Sequence, residues 1–337
     1  MKIKSLLFPL ARGLGFFELT RYIARRYPII LVYHRFGPRA KNPFYTSVGA
    51  FETQIRMLKR KFNLLSLRQL SEYIESAAPI PANSVVLTVD DGYEDFYTYA
   101  LPVLKEYAVP ATVFVVTDFI NGKAWLWPDR IAFIIKQTNL DEVSLDFSGV
   151  SVRLGLRTWG EKRQAWGRVA DHALELPDTE CRRFIDDLSG RFAVEFPERP
   201  PVEYRPMSWP QVVEACRAGV EIGSHSCTHP RLTRVDNRQL FAELKNSKVD
   251  IEANIQEECR AFCYPFGRKV DISDLVQAAV EQVGYRYATI GYFNLEVTSE
   301  RYALKRLGAG GNLPDFIKKV HGWEVLQTFF RNRPYDR

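Results

Sequence analysis

Short apolar runs rich in β-branched residues recur along this 337-residue chain, and stretches of helical length separate them. The runs fall at residues 28–33, 85–89, 111–116, 219–225, 261–264, 287–290 and 302–307. The runs at 85–89 and 111–116 are apolar and β-branched without the alternation of a half-solvated strand, so they fit strands covered on both faces. Between runs, positions such as Phe51, Ile55, Leu58 and Phe62 repeat with helical spacing. Strands that alternate with helices predict parallel βαβ units. In such folds the working residues gather where strands end.

Two of these ends carry chemistry. The run Ser84-Val85-Val86-Leu87-Thr88-Val89 stops at Asp90-Asp91, and Gly92 permits a sharp exit turn. If the chain stays extended, neighbouring side chains point apart, so one carboxylate can bind a metal while the other meets water or substrate. The run from Gly219 ends in His225-Ser226-Cys227-Thr228-His229, which holds two of the five histidines in the chain. Neutral imidazoles with one carboxylate make a three-ligand set with an open position. Asp-Asp-Gly alone is an ordinary polar turn, and a lone His is ordinarily structural. The two motifs together predict a metal site. His34 also falls at a strand end.

Thr88-Val89-Asp90-Asp91-Gly92 and His225-Ser226-Cys227-Thr228-His229 resemble the first two motifs of the polysaccharide deacetylase (NodB-homology) family, carbohydrate esterase family 4. Phe262-Cys263-Tyr264-Pro265-Phe266-Gly267 is similar to its third. The resemblance covers roughly residues 29–312, apart from one insertion. It implies a distorted (β/α)7-type barrel within the α/β class, and removal of N-acetyl groups from an amino sugar of a glycan; the basic charge and the lack of a clear export signal would also fit a lipid-linked or nucleotide-linked precursor. It implies that Asp91, His225 and His229 hold a divalent ion. Zinc is the default, and iron, cobalt or nickel also suit the donors. It makes Asp90 the general base and the Phe266 N–H an oxyanion donor; Pro265 has no N–H to give.

The chain departs from the family pattern twice. Ala261 and Phe262 stand where an arginine is expected, and Leu304-Lys305-Arg306 replaces a leucine-x-histidine motif. Leu31-Val32-Tyr33-His34, however, resembles the subset that deacetylates surface poly-N-acetylglucosamine, in which the acid histidine comes from an N-terminal strand. That resemblance implies His34 as general acid. The same residues leave open an O-acetyl esterase, another amide hydrolase, or a silent glycan-binding protein.

Charge divides the remainder. The net charge is +6, and residues 1–27 hold six basic side chains against Glu18 alone. Apolar residues are interleaved with them, so residues 1–27 read as a basic amphipathic segment able to lie on an anionic membrane. Residues 28–337 read as the barrel. No basic stripe elsewhere suggests nucleic-acid binding. The apolar run ends at Arg12 without a convincing cleavage site, and five cysteines form no dense framework. The expected location is therefore cytoplasmic, at or near the inner membrane surface, with reduced thiols. Residues 122–206 read as an insertion holding four of six tryptophans. These either stack on sugar rings or fill a small satellite core, mostly the latter. His172 and His321 are expected to be exposed.

Overall fold

The computed structural model describes residues 16–39, 45–123, 125–197 and 199–331. The strands are β1 (Ile29–Tyr33), β2 (Arg35–Gly37), β3 (Tyr45–Ser47), β4 (Asn63–Leu65), β5 (Ser84–Val89), β6 (Thr112–Val115), β7 (Glu142–Phe147), β8 (Val150–Gly155), β9 (Glu221–Ser224), β10 (Ala261–Cys263), β11 (Tyr287–Ile290), β12 (Leu304–Lys305) and β13 (Leu307–Gly308). The helices are α1 (Phe16–Ala24), α2 (Val48–Lys61), α3 (Leu67–Glu75), α4 (Leu101–Tyr107), α5 (Thr117–Ile120), α6 (Trp127–Gln137), α7 (Trp159–Glu175), α8 (Asp178–Arg191), α9 (Trp209–Arg217), α10 (Asn237–Ile255), α11 (Asp274–Gln282), α12 (Leu313–Val320) and α13 (Trp323–Arg331).

The main sheet runs β12-β11-β10-β9-β6-β5-β1-β13, all parallel, with β4 added beside β5. Its two ends are consecutive in the chain. β12 pairs with β11, β13 pairs with β1, and only Arg306 separates them. The last strand thus closes the sheet into a distorted seven-fold barrel. Every residue of β1, β5, β6 and β11 is buried, as sequence runs without alternation require.

Helix starts follow their caps. Ser66 with Gln69, Thr158 with Glu161 and Ser208 with Gln211 close reciprocal capping boxes at α3, α7 and α9. Helical spacing predicts a helix over residues 94–106 bent at Pro102, and the structure has two segments there. A π-helical turn at Phe96–Ala100 precedes α4, and Pro102 sits in the first turn of α4, where its missing N–H costs nothing. Gly223 is dictated by close approach, since a Cβ there would lie 2.5 Å from the Phe114 ring and 3.0 Å from the Ala261 carbonyl oxygen.

Between α5 and α9 the chain leaves the barrel. The β7–β8 hairpin turns at Ser148-Gly149, both left-handed, as its turn residues predict. With α6, α7 and α8 it encloses a separate core around Ile131, Ile134, Leu145, Leu154, Val169 and Phe192. Trp127 and Trp166 pack on that core, whereas Trp159 is exposed. Two histidines differ from expectation. His172 is half-buried, stacked on Phe147 at 4.3 Å, and His321 is buried against Phe17 and Phe62. Their apolar ring faces are used in packing.

Candidate active site

Register builds the first half of the site. Tyr33 lies opposite Val89, so the next residues, His34 and Asp90, emerge side by side at the barrel rim. The Asp90 N–H donates to the Tyr33 carbonyl at 3.0 Å, and His34 Nε2 lies 3.8 Å from Asp90 Oδ2. Asp91 does not continue the strand, so extended-chain alternation is not what parts the two carboxylates. Asp91 has φ +76° and Gly92 φ +85°, a left-handed turn that points Asp91 to the neighbouring strand end. Such backbone is costly outside glycine and concentrates at functional sites. Ser226, His229 and Phe266 share it here.

The second half comes from β9. Val115 lies opposite Ser224, and the His225 N–H donates to the Val115 carbonyl at 2.9 Å. His225 Nδ1 faces the Cys263 carbonyl oxygen at 2.7 Å. A carbonyl only accepts, so Nδ1 carries the hydrogen and Nε2 keeps its lone pair. That Nε2 is 3.6 Å from Asp91 Oδ1, and His229 Nε2 is 3.7 Å from the same oxygen. The turn between the histidines is held from α10. Glu243 accepts from the Cys227 and Thr228 N–H groups and from the Thr228 hydroxyl. The sequence had offered no sign of Glu243, sixteen residues downstream of Cys227 on a polar helix.

Asp91, His225 and His229 therefore form a group able to hold a divalent ion. A tetrahedral ion with bonds of about 2.0–2.1 Å spaces its ligands about 3.4 Å apart, close to the separations here. His229 Nδ1 is buried and has no hydrogen-bond partner among the described residues. Burial, then the neighbouring Asp90 charge, pushes the Asp91 carboxyl up to about 6, against the lowering pull of His225. Burial holds His229 well below the usual histidine range, keeping it neutral as a ligand must be. A second grouping, Asp90 with His225 and Cys263, is geometrically compact. It suits an ion poorly, because His225 Nδ1 is donating and burial holds the Cys263 thiol protonated.

Asp90 is tied differently. Arg306 grips it with both terminal nitrogens at 2.7 Å, NH1 on Oδ1 and NH2 on Oδ2. Its remaining donors reach the Ile290 carbonyl, Thr88 Oγ1 and Cys263 Sγ. Both side chains are almost wholly buried. Burial opposes ionisation of Asp90, but the guanidinium charge and its paired hydrogen bonds outweigh that and hold the carboxyl well below the usual carboxylate range. The sequence had marked Arg306 only as the wrong residue in a C-terminal motif, and had marked an arginine as missing from β10. The barrel interior resolves both observations, because Arg306 reaches the base from the closing strand. His34, half-exposed beside the pair, is lowered first by burial and then by the Arg306 charge, against the raising field of Asp90.

Phe266, at φ +63°, directs no backbone N–H to another described residue. Its ring lies 4.7 Å from that of His229 and 5.6 Å from that of Trp127. Trp127 and Thr228 help line a cavity of about 990 Å³ between the insertion and the barrel, together with Trp125, Arg130, Arg182 and Arg205. Arg182 of α8 donates to Thr228 Oγ1 at 2.7 Å, so the insertion touches the metal turn directly. None of His34, Asp90, Asp91, His225, His229 or Phe266 lines it, so the cavity adjoins the site through Thr228 and Trp127 rather than containing it.

The chain is similar to known proteins in sequence and in fold. The family described as polysaccharide deacetylase matches residues 77–144 and 184–288, which is 68 and 105 residues, or 173 of 337. A poly-beta-1,6-N-acetyl-D-glucosamine N-deacetylase of Escherichia coli (strain K12) is 29% identical over 99 residues, 28% of this chain and 15% of that protein. The enzyme of that name from Staphylococcus aureus (strain N315) is 35% identical over 79 residues, 23% of this chain and 27% of that protein. The matched stretches thus span well under a third of either relative. Among solved structures, the Streptococcus pyogenes deacetylase PplD in complex with acetate superposes with TM-score 0.58 at 16% identity, covering 88% of this chain and 98% of that one. IcaB from Ammonifex degensii gives 0.56 at 15%, covering 88% and 97%. At these identities the structures share the fold.

Proposed function

The chain belongs to the polysaccharide deacetylase family, and from that membership we propose that it hydrolyses N-acetyl groups from an amino sugar within a glycan or a lipid-linked glycan precursor. One observation carries the reading: a second carboxylate, Asp90, stands beside the Asp91–His225–His229 group and is kept ionised by Arg306. Binding a sugar needs no such base.

Asp91, His225 and His229 would hold the ion, with zinc the default for two imidazoles and a carboxylate. When bound, the ion supplies Lewis acidity to the acetyl carbonyl and to the attacking water. Asp90 takes a proton from that water as its oxygen bonds to the acetyl carbon. The Phe266 N–H donates to the resulting oxyanion. The C–N bond then breaks, and His34 gives its proton to the departing amine. Acetate and the free amino sugar are the products. Asp90 Oδ2 faces both Arg306 and His34, so a proton collected on one side of the reacting carbon has a short route to the other. The cavity lined by Trp125 and Trp127 gives aromatic faces for neighbouring sugars, and its arginines suit a phosphate-bearing carrier.

The test is acetate release from a panel of N-acetylated oligosaccharides, with and without a carrier phosphate, and from an O-acetylated sugar. Release by native protein that is lost with Asp90→Asn supports the proposal. Release only from the O-acetyl ester replaces it with an esterase, and none from any member by fully metal-loaded protein refutes it in favour of glycan binding.

A further inference from the structure

Helix α1 is apolar on two faces. Phe17, Thr20 and Ala24 are buried. On the other side Phe16, Leu19, Tyr22 and Ile23 are 38%, 58%, 63% and 46% exposed, four of the eleven large exposed hydrophobics among the described residues. Residues 16, 19 and 23 follow helical spacing and form one ridge. A surface helix of a globular protein ordinarily turns charge to solvent, whereas α1 turns four large apolar side chains there beside Glu18.

The helix is firmly seated. Its Ala24 lies where a Cβ on Gly322 would stand, so α1 approaches the α12–α13 turn as closely as a side chain allows. Phe17 meets His321, Phe16 meets Trp323, and the Arg21 guanidinium donates to the Lys61 carbonyl at 2.9 Å. The ridge is therefore presented on a fixed scaffold. The charge around it is positive. Glu18 is matched by Arg21 at 2.8 Å and by Lys61 at 2.5 Å. Arg25 and Arg26 follow the ridge directly, and Lys2, Lys4 and Arg12 precede it in sequence with no acid before Glu18.

We propose that α1 is a docking surface for an anionic phospholipid membrane, the helix lying flat with Phe16, Leu19, Tyr22 and Ile23 in the headgroup–acyl boundary and the flanking arginines on lipid phosphates. The charge complementarity selects this occupant over a second copy of the chain, whose own ridge would carry the same sign. The proposal is independent of the hydrolytic reading, since α1 contributes nothing to the site.

The experiment is flotation of the full chain with vesicles of phosphatidylcholine, alone or mixed with phosphatidylglycerol. The native chain should float with the mixed vesicles, less so as salt rises. Leu19→Glu/Ile23→Glu should weaken partition at least about tenfold, since each lost insertion removes a side chain's worth of burial. Arg25→Gln/Arg26→Gln should weaken it and flatten the salt dependence. Unchanged thermal midpoints show that both variants fold. Equal flotation of the Glu variant, or no flotation of the native chain, overturns the proposal. So does a native dimer in light scattering that the Glu variant abolishes, which would make the ridge an interface between copies.

Discussion

Arg306→Met removes the guanidinium that pairs with Asp90 inside the barrel while keeping most of the side-chain volume. The carboxylate then stays buried with both oxygens stripped of their 2.7 Å donors. Breaking a buried pair from one side costs about 3–5 kcal/mol. At about 2.1 cal/mol/K per residue, unfolding 337 residues carries an entropy of about 0.7 kcal/mol/K, so the midpoint should fall by about 4–7 °C. Asp90→Asn strands the guanidinium instead and should also destabilise. The double variant removes both charges and should lose less than the sum of the singles, by about 1–3 kcal/mol. The pH dependence has a definite sign. A depressed folded pKa contributes stability above the unfolded carboxylate value of about 3.9, and that stability is lost as pH falls through the folded value. Arg306→Met should erase that acid-side loss and move the acid limb of acetate release upward. The assays are thermal unfolding across pH and a double-mutant cycle. Strict additivity, or a midpoint for Arg306→Met equal to the native one, would refute the reasoning.

Three further outcomes follow from other parts of the site. His34→Asn should lower kcat for acetate release by about 10²–10⁴-fold while leaving metal content unchanged by elemental analysis; retained kcat would remove His34 from the reaction. Chelator-stripped protein should regain activity with zinc, and its zinc affinity, read by competition with a chromophoric chelator, should fall as pH drops below about 6, because the Asp91 carboxyl, raised to about 6 in the metal-free site, is then protonated. Gly223→Ala should cost about 1–3 kcal/mol by driving a Cβ into the Phe114 ring 2.5 Å away, and Phe114→Leu in the same chain should recover part of that loss in denaturant unfolding.

What could be read from the sequence was local. Asp90-Asp91-Gly92 and the His225–His229 turn announce themselves because the donors lie within a few residues of one another and directly after apolar runs. The barrel was legible for the same reason, as each strand is a short buried run between helices. Arg306 was not legible, since its partner stands 216 positions earlier and only the closure of the sheet brings them together. The expected strand at 302–307 is interrupted at that residue, so the polar side chain that seemed to spoil the strand is the one it exists to place. Glu243 was hidden by a helix whose charged residues look uniformly solvated. The exposure expected of His321 failed because Phe17 and Phe62, distant in sequence, pack against its ring. Asp90 and Asp91 were expected to part by strand alternation, which the left-handed backbone of Asp91 does not obey.

The seam of the barrel also sets an order in time. β1 leaves a ribosome long before its neighbour on one side, β13. Until residue 306 emerges, Asp90 sits at the mouth of an open sheet without its counter-ion, and at about 5–20 residues per second that interval lasts on the order of ten seconds or more. A nascent chain stalled short of the closing strand should therefore carry Asp90 without its counter-ion, and the proposed hydrolysis should wait on residue 306.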